Sequence, residues 1–197
     1  MRFRVVAGAL ALAVAVVLSG CSGDPLAEKY GAGAGTGSGS LGGAFSEFAP
    51  DERGEPVVFE GTTDTGMTVS NEDFVGDVLV VNFWYAECAP CRAEAPDLRD
   101  LSQKYDGKGA SFLGINVYDQ ADNARAFART FDIRYPSIMD ADSGQARLAF
   151  VGHAPPSAVP TTLVLDKEGR VAARFLGQIM AASSLDTIIR ELVAEEL

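Results

Sequence analysis

Cys88 and Cys91 are separated by Ala89-Pro90 and stand immediately before a segment with helical spacing. Two thiols placed so at a helix start share a physical consequence: the positive end of the helix dipole and its unpaired amides stabilise a thiolate there. A thiolate at Cys88, nearer the end and expected to be the exposed one, can attack a partner's disulfide. Cys91, one turn inside, is then placed to resolve the mixed disulfide. Pro90 stiffens the turn and needs no amide partner at a helix's first positions. The same spacing also admits a structural disulfide, although so small a loop contributes only roughly 2 kcal/mol by chain entropy. A structural zinc site would need four Cys or His ligands, and beyond this pair the candidate domain has only His153.

A thiol peroxidase is a further alternative. It needs one activated cysteine with donors for a peroxide, and such families usually place a threonine three residues earlier, where this chain has Tyr85.

The elements that must hold the pair alternate strand and helix. Val78 to Tyr85 is nearly continuous apolar and β-forming, as in a strand buried on both faces of a sheet. Arg92 to Tyr105 reads as helix, Ser111 to Tyr118 as a second buried strand, and Asp122 to Phe131 as an amphipathic helix through Ala124, Phe127, Ala128 and Phe131. Thr161 to Leu165 and Val171 to Leu176 flank Asp166-Lys167-Glu168-Gly169, which suits an antiparallel hairpin. Leu185, Ile188, Ile189, Leu192 and Val193 form the stripe of a last helix, with Ser183 and Asp186 as its expected capping pair. Upstream, Val57 to Glu60 and Met67 to Val69 predict a short hairpin around Asp64-Thr65-Gly66.

The chain has 197 residues and a formal net charge of −11, with 27 Asp and Glu against 16 Lys and Arg. That excess of acid excludes a phosphate-tracking surface and with it nucleic-acid binding. The length suits one domain plus appendages. Arg2 and Arg4 precede an apolar run from Val5 to Leu18, about as long as a signal-peptide core and short for a bilayer span. The run ends in Leu18-Ser19-Gly20-Cys21, which resembles a bacterial lipoprotein signal, so Cys21 is expected to carry lipid and become the mature N-terminus. Residues 1–20 are then a removed signal, and residues 21–44 a Gly-rich tether of roughly 25 to 30 Å root-mean-square reach. Residues 45–197 are the working domain, anchored at the extracytoplasmic face of the bacterial membrane.

Asn82-Phe83-Trp84-Tyr85-Ala86-Glu87-Cys88-Ala89-Pro90-Cys91-Arg92-Ala93-Glu94-Ala95-Pro96 resembles the active-site segment of thioredoxin-fold proteins, and among them the membrane-anchored TlpA/ResA-like thiol-disulfide oxidoreductases. The resemblance covers about Phe45 to Leu197. It implies an α/β thioredoxin-like fold, a central mixed sheet flanked by helices, with an extra N-terminal hairpin and an insertion after the second core strand. It further implies a redox-active Cys88–Cys91 disulfide and no cofactor or metal. Pro96 matches a proline inside the family's first helix. Val159-Pro160-Thr161 matches the loop whose cis-proline faces the cysteines, with the backbone of Val159 pairing with substrate; Trp84, Ala89 and Pro90 are the other expected substrate contacts, Trp84 having a core role as its alternative. Where thioredoxin keeps a buried aspartate this chain has Asn82, and Glu94 matches a glutamate that lies near the thiols and assists proton transfer. Glu87 departs from the pattern, which usually has tryptophan there; a carboxylate beside Cys88 opposes thiolate formation.

The implied function is exchange of a dithiol for a disulfide with protein partners, as a monomer. The favoured direction is reduction, for example of apocytochrome c, fed by a membrane thiol-disulfide donor. Alternatives are protein disulfide oxidation, and Sco-like copper delivery through Cys88, Cys91 and His153.

Overall fold

The computed structural model describes residues 45–155 and 157–196. The signal, Cys21 and the tether expected from the sequence lie outside these residues. Among the described residues no helix is long and apolar enough to cross a membrane.

The fold is organised on β4 (Val78–Trp84), which is buried at every position. It runs parallel to β5 (Ala110–Asn116) and antiparallel to β7 (Thr161–Leu165). With β1 (Phe45–Glu47), β6 (Ser137–Met139) and β8 (Val171–Leu176) these strands make a six-stranded mixed sheet of order β1-β8-β7-β4-β5-β6. A separate two-stranded hairpin, β2 (Glu60–Thr62) with β3 (Thr68–Ser70), precedes β4. The helices are α1 (Ala89–Tyr105), α2 (Ala121–Phe131), the short α3 (Gln145–Ala149) and α4 (Ala182–Ala194).

Alternation along β4 divides the interior. Leu79, Val81 and Phe83 point to one side, where they pack with Val57, Phe59 and Phe150. Val78 and Val80 point to the other, against Leu98 and Leu101 of α1 and Leu185, Ile188 and Ile189 of α4. The same period places Asn82 and Trp84 on the α1 side, which is how a polar residue inside an apolar strand comes to face the first helix.

Most expected elements form, with two corrections. The hairpin strands start later than the apolar run at Val57, because Val57 and Phe59 are used as core residues ahead of the ladder. Ser183 and Asp186 do not cap α4; its N-cap is Ala181, with no side-chain cap bond. Asp186 accepts hydrogen bonds from Tyr105 Oη, at 2.7 Å, and from Lys104, so its carboxylate ties α4 to α1.

Candidate active site

The chain leaves β4 at Trp84 and enters α1 through residues 85–88. Cys88 is the N-cap in extended conformation, and its Sγ accepts a hydrogen bond from the Cys91 amide at 3.1 Å. Pro90 occupies the first turn, where no amide is missed. Cys88 and Cys91 are joined by a disulfide, their Cα atoms 5.2 Å apart. Contrary to expectation, Cys88 is not exposed: both cysteines are 2 % accessible. They sit in an apolar cluster with Trp84, Ala95, Ala124 and Phe127, against which Tyr85 and Val159 pack. The approach to Cys88 is also fixed by polar contacts. The Ala86 amide donates to Asp119 Oδ2 at 2.6 Å, and Arg92 Nη1 donates to the Ala86 carbonyl at 3.1 Å. Asn116 holds Asp119 in place with its amide group, at 2.8 Å.

The Val159–Pro160 peptide bond is cis. Pro160 is buried, its carbonyl accepts from the Gly177 amide at 2.9 Å, and Thr161 Oγ1 donates to the Ala158 carbonyl at 2.8 Å. Half-buried Val159 packs on the cluster that contains both cysteines, so this loop and the disulfide adjoin. Ala89 is exposed and Pro90 half-buried on the same end. Trp84 is different: it is 6 % accessible, donates its indole N–H to Ser137 Oγ at 3.2 Å and lies 4.3 Å from the Phe127 ring. Its surroundings make it a core residue, the alternative role weighed for it in the sequence.

Glu94, one turn beyond Cys91, is completely buried. Its Oε1 accepts from Asn82 Nδ2 at 2.9 Å and its Oε2 from the Ile179 amide at 3.0 Å. Asn82 also donates to Thr162 Oγ1 at 3.0 Å, its partner across the β4–β7 ladder. Burial disfavours the carboxylate more than these bonds favour it, and the Glu94 pKa is raised to about 7. The Tyr135 phenol is pushed up by burial and by the charge of Glu94. A cavity of about 20 Å³ lies behind the disulfide, lined by Cys91, Asn82, Trp84, Tyr135 and Ser137 among others. That is room for one water. Glu94 is thereby linked to the interior side of Cys91 through Asn82 and this cavity.

Asn82 carried a signal, as the one polar residue in an apolar strand. Asp119, Thr162 and Ile179 carried none, since their parts depend on loops and on a backbone amide. His153 is half-buried, with a pKa lowered by burial and by Arg174, whose Nη1 donates to the His153 carbonyl at 3.1 Å. Among the described residues no three Cys, His, Asp or Glu side chains are grouped as a metal site, so Cys88, Cys91 and His153 are not brought together.

A sequence profile described as the AhpC/TSA family matches residues 53–174, more than half the chain. The chain belongs to the AhpC/TSA family. Within this AhpC/TSA assignment, the thiol-disulfide oxidoreductase ResA of Bacillus cereus (strain ATCC 10987 / NRS 248) is 30% identical over 167 residues, covering 84% of this chain and 85% of that protein. For ResA of a second Bacillus cereus strain the match spans only 62% of the relative's length. The thiol:disulfide interchange protein HelX of Rhodobacter capsulatus is 36% identical over 104 residues, 53% of this chain and 54% of HelX. Among solved structures, a secreted thiol-disulfide isomerase from Corynebacterium glutamicum superimposes with a TM-score of 0.73 at 30% identity, covering 82% of this chain and 98% of that one. This AhpC/TSA chain therefore has the thioredoxin-like fold and stands with the family's thiol-disulfide oxidoreductases, with Cys88 and Cys91 as its cysteine pair.

Proposed function

We propose that this protein reduces disulfides of extracytoplasmic protein substrates, apocytochrome c being one candidate, and is itself re-reduced by a membrane thiol-disulfide donor. The observation that carries the reading is the Cys88–Cys91 disulfide at the start of α1, with the cis-Pro160 loop packed beside it. In the reduced protein the Cys88 thiolate attacks one sulfur of the partner's disulfide. That bond breaks, a mixed disulfide forms, and the first partner sulfur leaves as a thiolate that takes a proton from water. Cys91, once deprotonated, attacks the Cys88 sulfur and releases the second partner thiolate. Two electrons pass to the partner, and the protein ends in the disulfide form of this structure.

Glu94 touches neither sulfur in this scheme. A carboxyl that titrates near neutrality, linked through Asn82 to the cavity at Cys91, supports a role in holding the proton that Cys91 gives up. Val159 offers its backbone to an extended partner, with Ala89 and Pro90 beside it. Residues 1–20 as signal, lipid on Cys21, a tether to residue 44 and a domain over 45–197 complete the reading, and they put the exchange outside the cytoplasmic membrane.

The test is trapping in cells with a Cys91→Ser variant. Substrate proteins should accumulate in mixed disulfides with Cys88 and be released by dithiothreitol. Recovering none while Cys88 still reacts with an alkylating probe would overturn an exchange mechanism. A redox potential measured against glutathione then gives the direction.

A further inference from the structure

A surface groove of about 580 Å³ opens beside the disulfide, between residues 85–87 and one flank of α2; its walls include Tyr85, Glu87, Arg92, Tyr118, Asp119 and Phe127. This volume is in the range of pockets that hold a small ligand or a short peptide stretch. The groove is preformed. Asp119 pins the Ala86 amide, Arg92 pins the Ala86 carbonyl, and the Arg92 guanidinium lies 5.1 Å from the Phe131 ring. Tyr118, 58% exposed, meets Tyr85 edge-on at 5.1 Å and gives the groove an aromatic wall open to solvent. Of the groove's three charged groups, Arg92 and Asp119 are occupied in these contacts. Glu87 is exposed and makes no hydrogen bond or ion pair among the described residues. Glu87 lines the groove one residue before the sulfur that attacks the partner.

We infer that this groove receives the polypeptide stretch flanking the substrate's reactive cysteine, and that Glu87 selects stretches with a Lys or Arg side chain next to that cysteine. The inference rests on the exchange reading above. An aromatic wall carries the stem of a long basic side chain, and the free carboxylate takes its charge. Acidic flanks meet repulsion from Glu87 in an already acidic protein.

The test uses the reduced full chain and two short peptide disulfides that differ only in having Lys or Glu on either side of the cysteine. Bis(2-hydroxyethyl) disulfide serves as a small neutral oxidant. At low ionic strength the Lys peptide should react roughly five times faster than the Glu peptide, and the ratio should shrink toward one near 0.5 M salt. Comparing ratios cancels any change in the reactivity of Cys88 itself. In Glu87→Gln the ratio should drop by at least half, whereas Glu72→Gln, the same charge change at an exposed site outside the groove, should keep it. An unchanged ratio in Glu87→Gln, or an equal loss in Glu72→Gln, overturns the assignment to Glu87. No reaction with the neutral disulfide overturns the exchange reading instead, so the two failures are distinct.

Discussion

Glu94 Oε1 and Asn82 Nδ2 are 2.9 Å apart in the interior, and their hydrogen bond joins the first helix to the central strand directly behind the cysteine pair. A carboxyl there is withdrawn from bulk solvent, which disfavours its charge. Among the described residues it accepts from Asn82 and the Ile179 amide, and these bonds lower its pKa less than burial raises it. The site thus holds an acid that changes state close to neutral pH, on the far side of the disulfide from solvent.

Glu94 makes stability fall as pH rises. Its folded pKa of about 7 lies above the ordinary glutamate value of 4.5, so the folded protein holds this proton more tightly than the unfolded chain does. The contribution is full below about pH 4.5 and lost by about pH 7, an amount on the order of 3 kcal/mol. Glu94→Gln should flatten this part of the stability profile of the disulfide form in urea titrations, and should be the more stable protein at pH 8. A parallel profile for the two proteins would refute the assignment.

The network around Arg53 has the opposite sign. Arg53, with its side chain 4% exposed, pairs with Asp166 at 3.1 Å and with both oxygens of Glu195 at 2.7 and 2.8 Å. These contacts hold the Glu195 pKa below its usual value, so its stabilisation is present above the unfolded pKa and lost as pH falls through the folded one. Arg53→Ala should cost about 1 kcal/mol at pH 7, because Asp166 keeps its Arg170 partner while Glu195, with its side chain 38% exposed, loses its pairing. The cost measured by denaturant unfolding should shrink in acid; a constant cost across that range would contradict the ion-pair account.

Gly114 of β5 is required by the Trp84–Ser137 bond. A Cβ there would lie 2.2 Å from Ser137 Oγ and 2.7 Å from Trp84 Nε1. Gly114→Ala should destabilise by roughly 2 to 4 kcal/mol, through overpacking and a lost buried hydrogen bond. Trp84 is the chain's single tryptophan, so its fluorescence reads the displacement directly. Parent-like emission and an unchanged unfolding midpoint would count against this packing.

Glu87 should also act on its neighbour's ionisation. Removing its charge in Glu87→Gln should lower the Cys88 pKa, because a like charge beside a thiolate disfavours it. Thiolate absorbance during a titration of the reduced protein measures this, and no fall retires the idea.

The reactive pair and the strands and helices around it were legible because each leaves a local mark: two cysteines before a helical stripe, unbroken apolar strands, a polar turn with Gly169. The cis bond at Pro160 followed from resemblance to a family, since nothing local distinguishes it from a loop proline. β6, only Ser137 to Met139, and α3 were too short to show a period. The surroundings of Glu94 were hidden for another reason. Its bond to the Ile179 amide spans 85 residues, and a backbone donor has no side-chain signature. The burial of Cys88 was missed likewise, because the residues covering it, among them Phe127 and Val159, come from distant elements.

The N-terminal part of the domain reaches both sides of the main sheet. β1 pairs with β8 at one margin. At the other, Thr63 bridges to Ile138, and Asp64 and Ser137 exchange hydrogen bonds of 2.9 and 3.3 Å. Gly61 lies so close to Ile138 that a methyl group would meet it at 2.4 Å. An open sheet margin templates any extended chain, which adds as an extra strand and leads to aggregation. Here residues of one short stretch, 45–70, lie along both margins, a three-residue strand at one and a bridge with two hydrogen bonds at the other, so that neither offers a long open edge to an extended chain.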